Sequence, residues 1–468
     1  MIPMTLAEIA AVVDGRPVAD DPRLTVTGPV EFDSRKVRPG GLFVAFPGEK
    51  VDGHDYAAAA VAQRGAVGVL GSRAVDGVPM VLVDDARVAM GRLARAVLDR
   101  LPELTVIGLT GSSGKTTTKD LVGQLTARLG PTVAPAGSFN NELGHPYTAL
   151  QADADTRYLV LEKGARGIGH VRYLCEIAPP RIAVVTNVGT SHIGEFGSVE
   201  AIAQAKGELV EALPAAGLAV LNADDPRVRA MAVRTAARVV LVGEAGDADV
   251  RAEDVTLDER GRPSYTLVTP NGRVPVRLGV SGRHQVGNTL AAAAVALDLG
   301  MPLAELPEAL GALVLPSTRR MDVFDRADGV TVIDDSYNAN PGSMAAALHA
   351  LAAMGRGRRT VAVLGYMAEL GEFERDGHAQ VGRLAAELGV DRLLVVGETA
   401  APIRDGAVAV ADWGGESVLV TDQQAAIGLL RRELRSGDVV LVKGSRYRTW
   451  DVVDALREAA VGPQGGAR

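Results

Sequence analysis

Residues 104–130 read LTVIGLTGSSGKTTTKDLVGQLTARLG. An apolar run ends in a glycine-rich turn, and the turn opens into a stretch with helical spacing, which predicts strand, loop and helix in that order. Glycines at 108, 111 and 114 let the backbone wrap closely around an anion. The first turn of the helix aims its free N–H groups and its dipole at the same point. In such a loop Lys115 reaches the outer phosphates of a nucleotide and the Thr116 hydroxyl ligates Mg²⁺. Gly111, Ser112, Ser113, Gly114 and Thr117 complete the cradle. A strict Walker pattern has glycine where this chain has Leu109, so the loop is a shifted form of that turn.

Downstream, apolar runs at Tyr158–Leu161, Ile182–Val185 and Leu218–Leu221 alternate with helical stretches, the pattern of βαβ units around a parallel sheet. Residues 250–280 have a more β-like texture, with turns at Glu259–Pro263 and Pro270–Gly272, and an alanine-rich helix follows over Asn288–Leu299. Periodicity is lost in LVLPSTRRMDV, which predicts a boundary near 317–320. Beyond it βα alternation resumes, with helices expected over 341–354 and 374–388 and strands in TVAVLG, RLLVVG and VVLVKGS. Upstream, residues 1–100 mix short strands with Gly/Pro turns. The expectation is an α/β chain of three domains: a small mixed α/β domain over 1–102, a central P-loop parallel-sheet ATPase domain over 103–317, and a Rossmann-like domain over 318–468. The tail VGPQGGAR reads as a frayed end.

A chain of 468 residues suits two to four domains. Its net charge of −8 argues against nucleic acid as a partner. Cys175 is the only cysteine, so no internal disulfide can form, which fits a reducing compartment. The N-terminus lacks a basic start and no apolar run reaches a membrane-spanning length. A cytoplasmic protein without membrane insertion is expected.

Three residues outside the loop draw attention. Glu162 ends the strand RYLVLE and His192 lies just past RIAVVTNV, and strand C-terminal ends line the ligand crevice in a parallel α/β sheet. Glu162 is a natural carboxylate ligand for a phosphate-bound Mg²⁺. Lys206 falls within the apolar stripe Val199, Ile202, Leu209, Val210, Leu213 of one helix, where a lysine must snorkel, pair or change its charge.

With these residues in place the chain resembles the Mur ligase family, over about residues 30 to 455. TGSSGKTT is that family's form of the loop. DSRKVRPGGLFVAFPGEKVDGHDY at 33–56 is similar to its UDP-sugar-binding domain, which implies that Ser34 and Arg35, with Asp33, lie near the diphosphate. SFNNELGHPYTAL resembles the motif whose Asn140, Asn141 and Glu142 sit close to the muramoyl substrate. NADD at 222–225 and GRHQVGN at 282–288 resemble nucleotide-contacting segments, implying roles for Asn222, His284 and Asn288. Arg320 stands at the hinge arginine that contacts ATP. DDSYNANPGSM at 334–344 is the most specific match and points to the branch that adds a dipeptide. It places Asp335 at the ribose and Asn338 and Asn340 towards the dipeptide. The resemblance implies ATP, a pair of Mg²⁺ ions bound through Thr116, Glu162, His192 and a carbamylated Lys206, and catalysis by Lys115, Lys206 and His192. It further implies a monomer that joins D-Ala-D-Ala to UDP-MurNAc-tripeptide.

Some positions depart from the family pattern. Lys163 stands where Met or Leu is common, Arg319 where glycine is, and Tyr366 where aspartate is; Thr449-Trp450-Asp451 replaces another short motif. Two of these are charge changes expected near ligand surfaces, and they leave room for a paralogue with a different acceptor. A P-loop switch NTPase would need neither Lys206 nor the YNANP segment. A diaminopimelate-adding ligase would carry a DNPR motif, which this chain lacks.

Overall fold

In the computed structural model, which describes residues 1–48 and 51–458, the strand Thr105–Thr110 lies inside a nine-stranded sheet. It pairs in parallel with Tyr158–Glu162 on one side and Ile182–Val185 on the other. The chain therefore leaves this strand in both directions, and the crevice beyond its C-terminal end is a topological switch point. These three central strands are buried and mostly apolar because both faces are covered. Ile107, Leu109, Val160, Ile182 and Val184 face the phosphate-loop helix Lys115–Ala127 and the alanine-rich helix Gln285–Asp298. Leu159 and Leu161 face the N-terminal side, and Ala183 and Val185 pack with the helix Val199–Glu211.

The sheet is not wholly parallel. Val250–Leu257, Pro263–Thr269 and Gly272–Arg277 extend its far edge as an antiparallel meander. This accounts for the alternating texture there, since one face of such an extension meets solvent. The alanine-rich helix begins at Gln285, three residues earlier than periodicity indicates, so Asn288 lies inside it rather than at its start.

The N-terminal domain holds a five-stranded sheet, parallel except for the pair Arg16–Val18 and Met80–Leu82, with a separate two-stranded ribbon. The C-terminal domain holds a six-stranded sheet, parallel except for Asp322–Asp325 against Thr331–Asp334. Its helices Pro341–Met354 and Glu374–Glu387 match the expected ranges within a residue. The tail at 461–468, read as a frayed end, lies outside the described residues. Among the described residues no helix is long and apolar enough to cross a membrane.

Central and C-terminal domains meet over two glycines. Gly194 N–H donates to Glu369 O at 3.1 Å, and a Cβ on Gly194 would stand 2.5 Å from Gly371 N. Filling that space would cost about 1–3 kcal/mol if the turns stayed together, so separation is the easier response. Gly194→Val is expected to raise the radius of gyration in small-angle scattering while far-UV circular dichroism stays unchanged. An unaltered radius would show that this contact does not hold the domains.

Candidate active site

Gly111 and Gly114 take φ values of 153° and 81°. A Cβ on Gly111 would lie 1.9 Å from Thr186 Oγ1, and one on Gly114 2.8 Å from Asn288 Oδ1. Only glycine fits either place. The loop is braced by residues that follow the strand Ile182–Val185. Ser113 N–H donates to Asn187 Oδ1 at 2.9 Å, and Thr186 Oγ1 donates to Ser113 O at 2.7 Å. Ser191 Oγ donates to Ser112 O at 3.0 Å. The sequence reading missed Thr186, Asn187 and Ser191, although their place just past a central strand was the available signal.

Around this loop the charges are poorly matched. Lys115 Nζ donates to Gly111 O at 2.7 Å. Burial lowers its pKa, while Glu162 acts to raise it and Arg320 to lower it. Lys206 is buried, and burial holds its pKa well below the ordinary lysine value, with the charge of Lys115 pushing the same way. Thr116 and Thr117 are buried in the first turn of the helix. Glu162 Oε2 accepts from Ser138 Oγ at 3.0 Å and from Asn140 Nδ2 at 3.5 Å, whereas Oε1 is buried without a partner. A buried carboxylate oxygen of this kind calls for a cation. Among the described residues no three His, Cys, Asp or Glu side chains form a metal cage, so an ion here would take most of its ligands from phosphate and water.

His192 sits at φ 60°, with Nδ1 2.5 Å from Glu369 Oε2 across the domain interface. Burial lowers its pKa, Glu369 raises it, and Lys115 and Lys206 lower it. Arg446 also reaches Glu369, at 3.1 Å. Glu369 went unnoticed in sequence because its partner is far along the chain.

The residues expected at the sugar-peptide side form two groups. Asn140 touches Ser138 and Glu162. Asn141 Oδ1 turns the loop by accepting from Gly144 N–H at 2.8 Å, and Glu142 is exposed. Ser34 and Arg35 lie on the N-terminal domain, with Arg35 paired to Asp33 at 2.9 Å. Rings of Phe46, Phe32, Tyr147 and Phe139 run from that domain to the asparagine loop, with the Phe32–Tyr147 pair edge-on at 5.0 Å. Tyr147 OH donates to Glu31 at 3.1 Å.

On the nucleotide side, Asn288 packs on Gly114 and accepts from Thr118 Oγ1 at 3.2 Å. Asn222 Nδ2 donates to Thr186 O at 2.8 Å. Arg320 lies over the Tyr337 ring at 4.3 Å. Asp335 Oδ2 is 2.5 Å from Lys443 Nζ, and Oδ1 accepts from Met321 N–H at 3.1 Å. Half-buried His284 feels both members of that pair; its pKa is lowered chiefly by desolvation. Lys443, another residue missed in sequence, also donates to Asn338 O at 2.8 Å. The Asn338 side chain is exposed. Asn340 caps the helix Pro341–Met354 and sends Nδ2 across to Ser191 Oγ at 2.7 Å and Ser113 Oγ at 3.2 Å. The YNANP segment thus touches the phosphate loop directly.

Neither charged departure faces a ligand surface. Lys163 is enclosed in the core, and Arg319 forms a fork to Asp454 at 3.0 and 3.1 Å that ties the inter-domain segment to the last helix. Tyr366 stacks on His378 at 5.3 Å and donates to Glu374 at 2.5 Å.

A nucleotide loop facing a buried lysine, closed over by a third domain, defines a class of ATP-dependent ligase, and comparison with known proteins agrees. The Mur ligase middle domain pattern matches residues 109–296, the Mur ligase glutamate ligase domain matches 319–446, and the Mur ligase family catalytic domain matches 29–97. The chain belongs to the Mur ligase family. It is 50% identical to the UDP-N-acetylmuramoyl-tripeptide--D-alanyl-D-alanine ligase of Mycobacterium tuberculosis, over 95% of this chain and 96% of that one. Its fold is similar to MurF from Acinetobacter baumannii, with a TM-score of 0.87 and 31% identity, covering 97% of this chain and 99% of that one. MurF from Thermotoga maritima, solved in complex with ADP, gives 0.81 at 29% identity, covering 93% and 98%.

Asn340→Ala removes both a helix cap, worth about 1 kcal/mol, and the bridge to the phosphate loop. Asn340→Asp keeps the cap but loses the bridging N–H donors. Thermal unfolding should rank wild type, Asn340→Asp, Asn340→Ala in falling stability. Equal losses for the two variants would place the whole contribution in the bridge.

Proposed function

We propose that this chain joins D-alanyl-D-alanine to UDP-N-acetylmuramoyl-tripeptide, splitting ATP to ADP and phosphate, as a cytoplasmic monomer. The observation that carries this reading is Asn340 of the YNANP segment meeting Ser113 of the phosphate loop, in a chain 50% identical to a protein named for that reaction. We assign the UDP-sugar to residues 1–102, ATP to 103–317 and the dipeptide to 318–468.

The chemistry proceeds in two displacements. The terminal carboxylate of the tripeptide attacks the γ-phosphorus of ATP, and ADP leaves with its electron pair. The dipeptide amine then attacks the acyl carbon and loses a proton, and inorganic phosphate departs, leaving an amide. Lys115 draws the transferring phosphoryl charge towards the loop, since phosphoryl transfer depends on positioning and neutralisation. The contacts of Gly194 with Gly371 and of His192 with Glu369 bring the third domain over the loop, which would shield the acyl phosphate from hydrolysis. Asn140 and Ser138 hold Glu162 in place beside the muramoyl end.

Mg²⁺ fits the donor set: Glu162 Oε1 is buried and unpaired, Thr116 offers a hydroxyl, and His192 keeps Nε2 free of Glu369. When bound it supplies charge neutralisation at the phosphoryl oxygens. Lys206, with its depressed pKa, has its neutral amine available. Adding CO₂ with loss of one proton would turn a buried amine into an anion able to meet Lys115 or a cation.

Phosphate release should require Mg²⁺, UDP-MurNAc-tripeptide and D-Ala-D-Ala together, with UDP-MurNAc-pentapeptide seen by mass spectrometry. ATP binding without turnover on any tripeptide form would reject the acceptor assignment. Stripping CO₂ and bicarbonate should lower kcat, and Lys206→Ala should lower it on the order of 100-fold, with partial recovery in formate or acetate. Full activity of Lys206→Ala would end the carbamate reading.

A further inference from the structure

Lys163 follows Glu162 at the end of its strand and turns to the opposite face. Its ammonium is wholly enclosed, 0% exposed, yet three acceptors meet it. It donates to Leu174 O at 2.9 Å, to Ala178 O at 3.0 Å and to His145 Nε2 at 3.2 Å. The first two carbonyls lie at the C-terminal end of the helix His170–Ile177, where the dipole is negative; Leu174 O also accepts from the N–H of Ala178, the C-cap, at 3.1 Å. The other end of that helix is met by Glu208, whose carboxylate accepts from Gly169 N–H at 2.6 Å and Arg172 N–H at 3.0 Å. One short helix is thus held between a buried cation that follows Glu162 and a buried anion on the helix that carries Lys206. Gly108 makes the room: a Cβ there would lie 2.9 Å from Lys163 Cε. Three acceptors around one Nζ match the three N–H donors of an ammonium.

The third acceptor reaches the active site. An ammonium can only donate, so His145 Nε2 accepts and the imidazole proton sits on Nδ1. Nδ1 then donates to Glu162 O at 3.1 Å. The Glu162 carbonyl can only accept, which places the proton on Nδ1 from that side as well. His145 directly follows the asparagine loop, and Gly164 N–H secures that loop by donating to Asn140 O at 2.8 Å. Glu162 is therefore gripped at its carbonyl by His145 and at Oε2 by Ser138, which leaves Oε1 as its one unpartnered oxygen.

We propose that Lys163 is a positioning residue that, through His145, fixes the Glu162 backbone and the asparagine loop so that Oε1 is presented to the divalent cation of the ATP complex. A methionine or leucine at 163 could neither donate to His145 nor meet the two helix carbonyls. The inference rests on the ligase reading for its consequence in turnover, but not for its consequence in cation binding.

The test uses full-length Lys163→Met and His145→Leu, with Mg²⁺ and ADP as probes in calorimetry beside steady-state turnover and thermal unfolding. Lys163→Met should raise the Mg²⁺ concentration for half-maximal ADP binding about 10-fold, the usual cost of losing a supporting partner of a metal ligand. ADP affinity without Mg²⁺ should stay unchanged. His145→Leu, which keeps both helix carbonyls on Lys163, should produce the same shift, and the double variant should add little to it. If Lys163→Met does not fold, His145→Leu decides alone. A lowered melting temperature with an unchanged Mg²⁺ requirement would overturn the proposal and leave Lys163 a helix cap. A wild type that binds Mg²⁺ and ADP but ligates nothing would reject the ligase reading while the cation arm still judged Lys163.

Discussion

Buried Lys206 and half-buried Lys115 lie near a single half-satisfied carboxylate, Glu162. Positive groups brought together out of water repel, and each is expensive to bury alone. The arrangement makes physical sense only if anionic phosphate and a cation complete it. Much of the remaining architecture holds these groups at fixed separations. The parallel sheet brings Glu162 and the phosphate loop to one edge. The helix His170–Ile177, held by Lys163 at one end and Glu208 at the other, spans between the strand of Glu162 and the helix of Lys206.

The C-terminal domain does more than cover the site. Its Asn340 amide bonds to the phosphate loop, and its Glu369 carboxylate lies 2.5 Å from His192 Nδ1. Both contacts reach residues of, or just beyond, the phosphate loop of the central domain. The same contacts that seat the third domain also touch the phosphate loop and His192, which suits chemistry with a water-sensitive acyl phosphate. The absence of side chains at Gly194 and Gly371 lets the two backbones approach closely enough for them.

The departures from the family pattern divide along physical lines. Arg319, in a left-handed backbone conformation, sends Nη2 to both carboxylate oxygens of Asp454. Tyr366 packs on His378 and pairs with Glu374, where burial and that carboxylate raise its hydroxyl pKa to about 12. Lys163 alone is linked to a residue of the candidate metal site. None of the three requires a changed acceptor.

Local pattern made much of this protein legible. The glycine spacing around Lys115 marked the phosphate loop, and apolar runs marked the strands Ile182–Val185 and Tyr158–Glu162, because covering both faces of a parallel sheet imprints itself on consecutive residues. Lys206 stood out because a charge in an apolar stripe breaks a short-range period. What sequence could not convey were pairings between distant segments: Asn187 with Ser113, Glu369 with His192, Lys443 with Asp335, Lys163 with the end of a helix and His145. Those residues sit in ordinary local contexts, and their partners lie on other elements. Lys163 read as a charge near a ligand surface because its strand position is known from pattern, whereas the side it turns to, and the carbonyls waiting there, exist only once helix and sheet have packed.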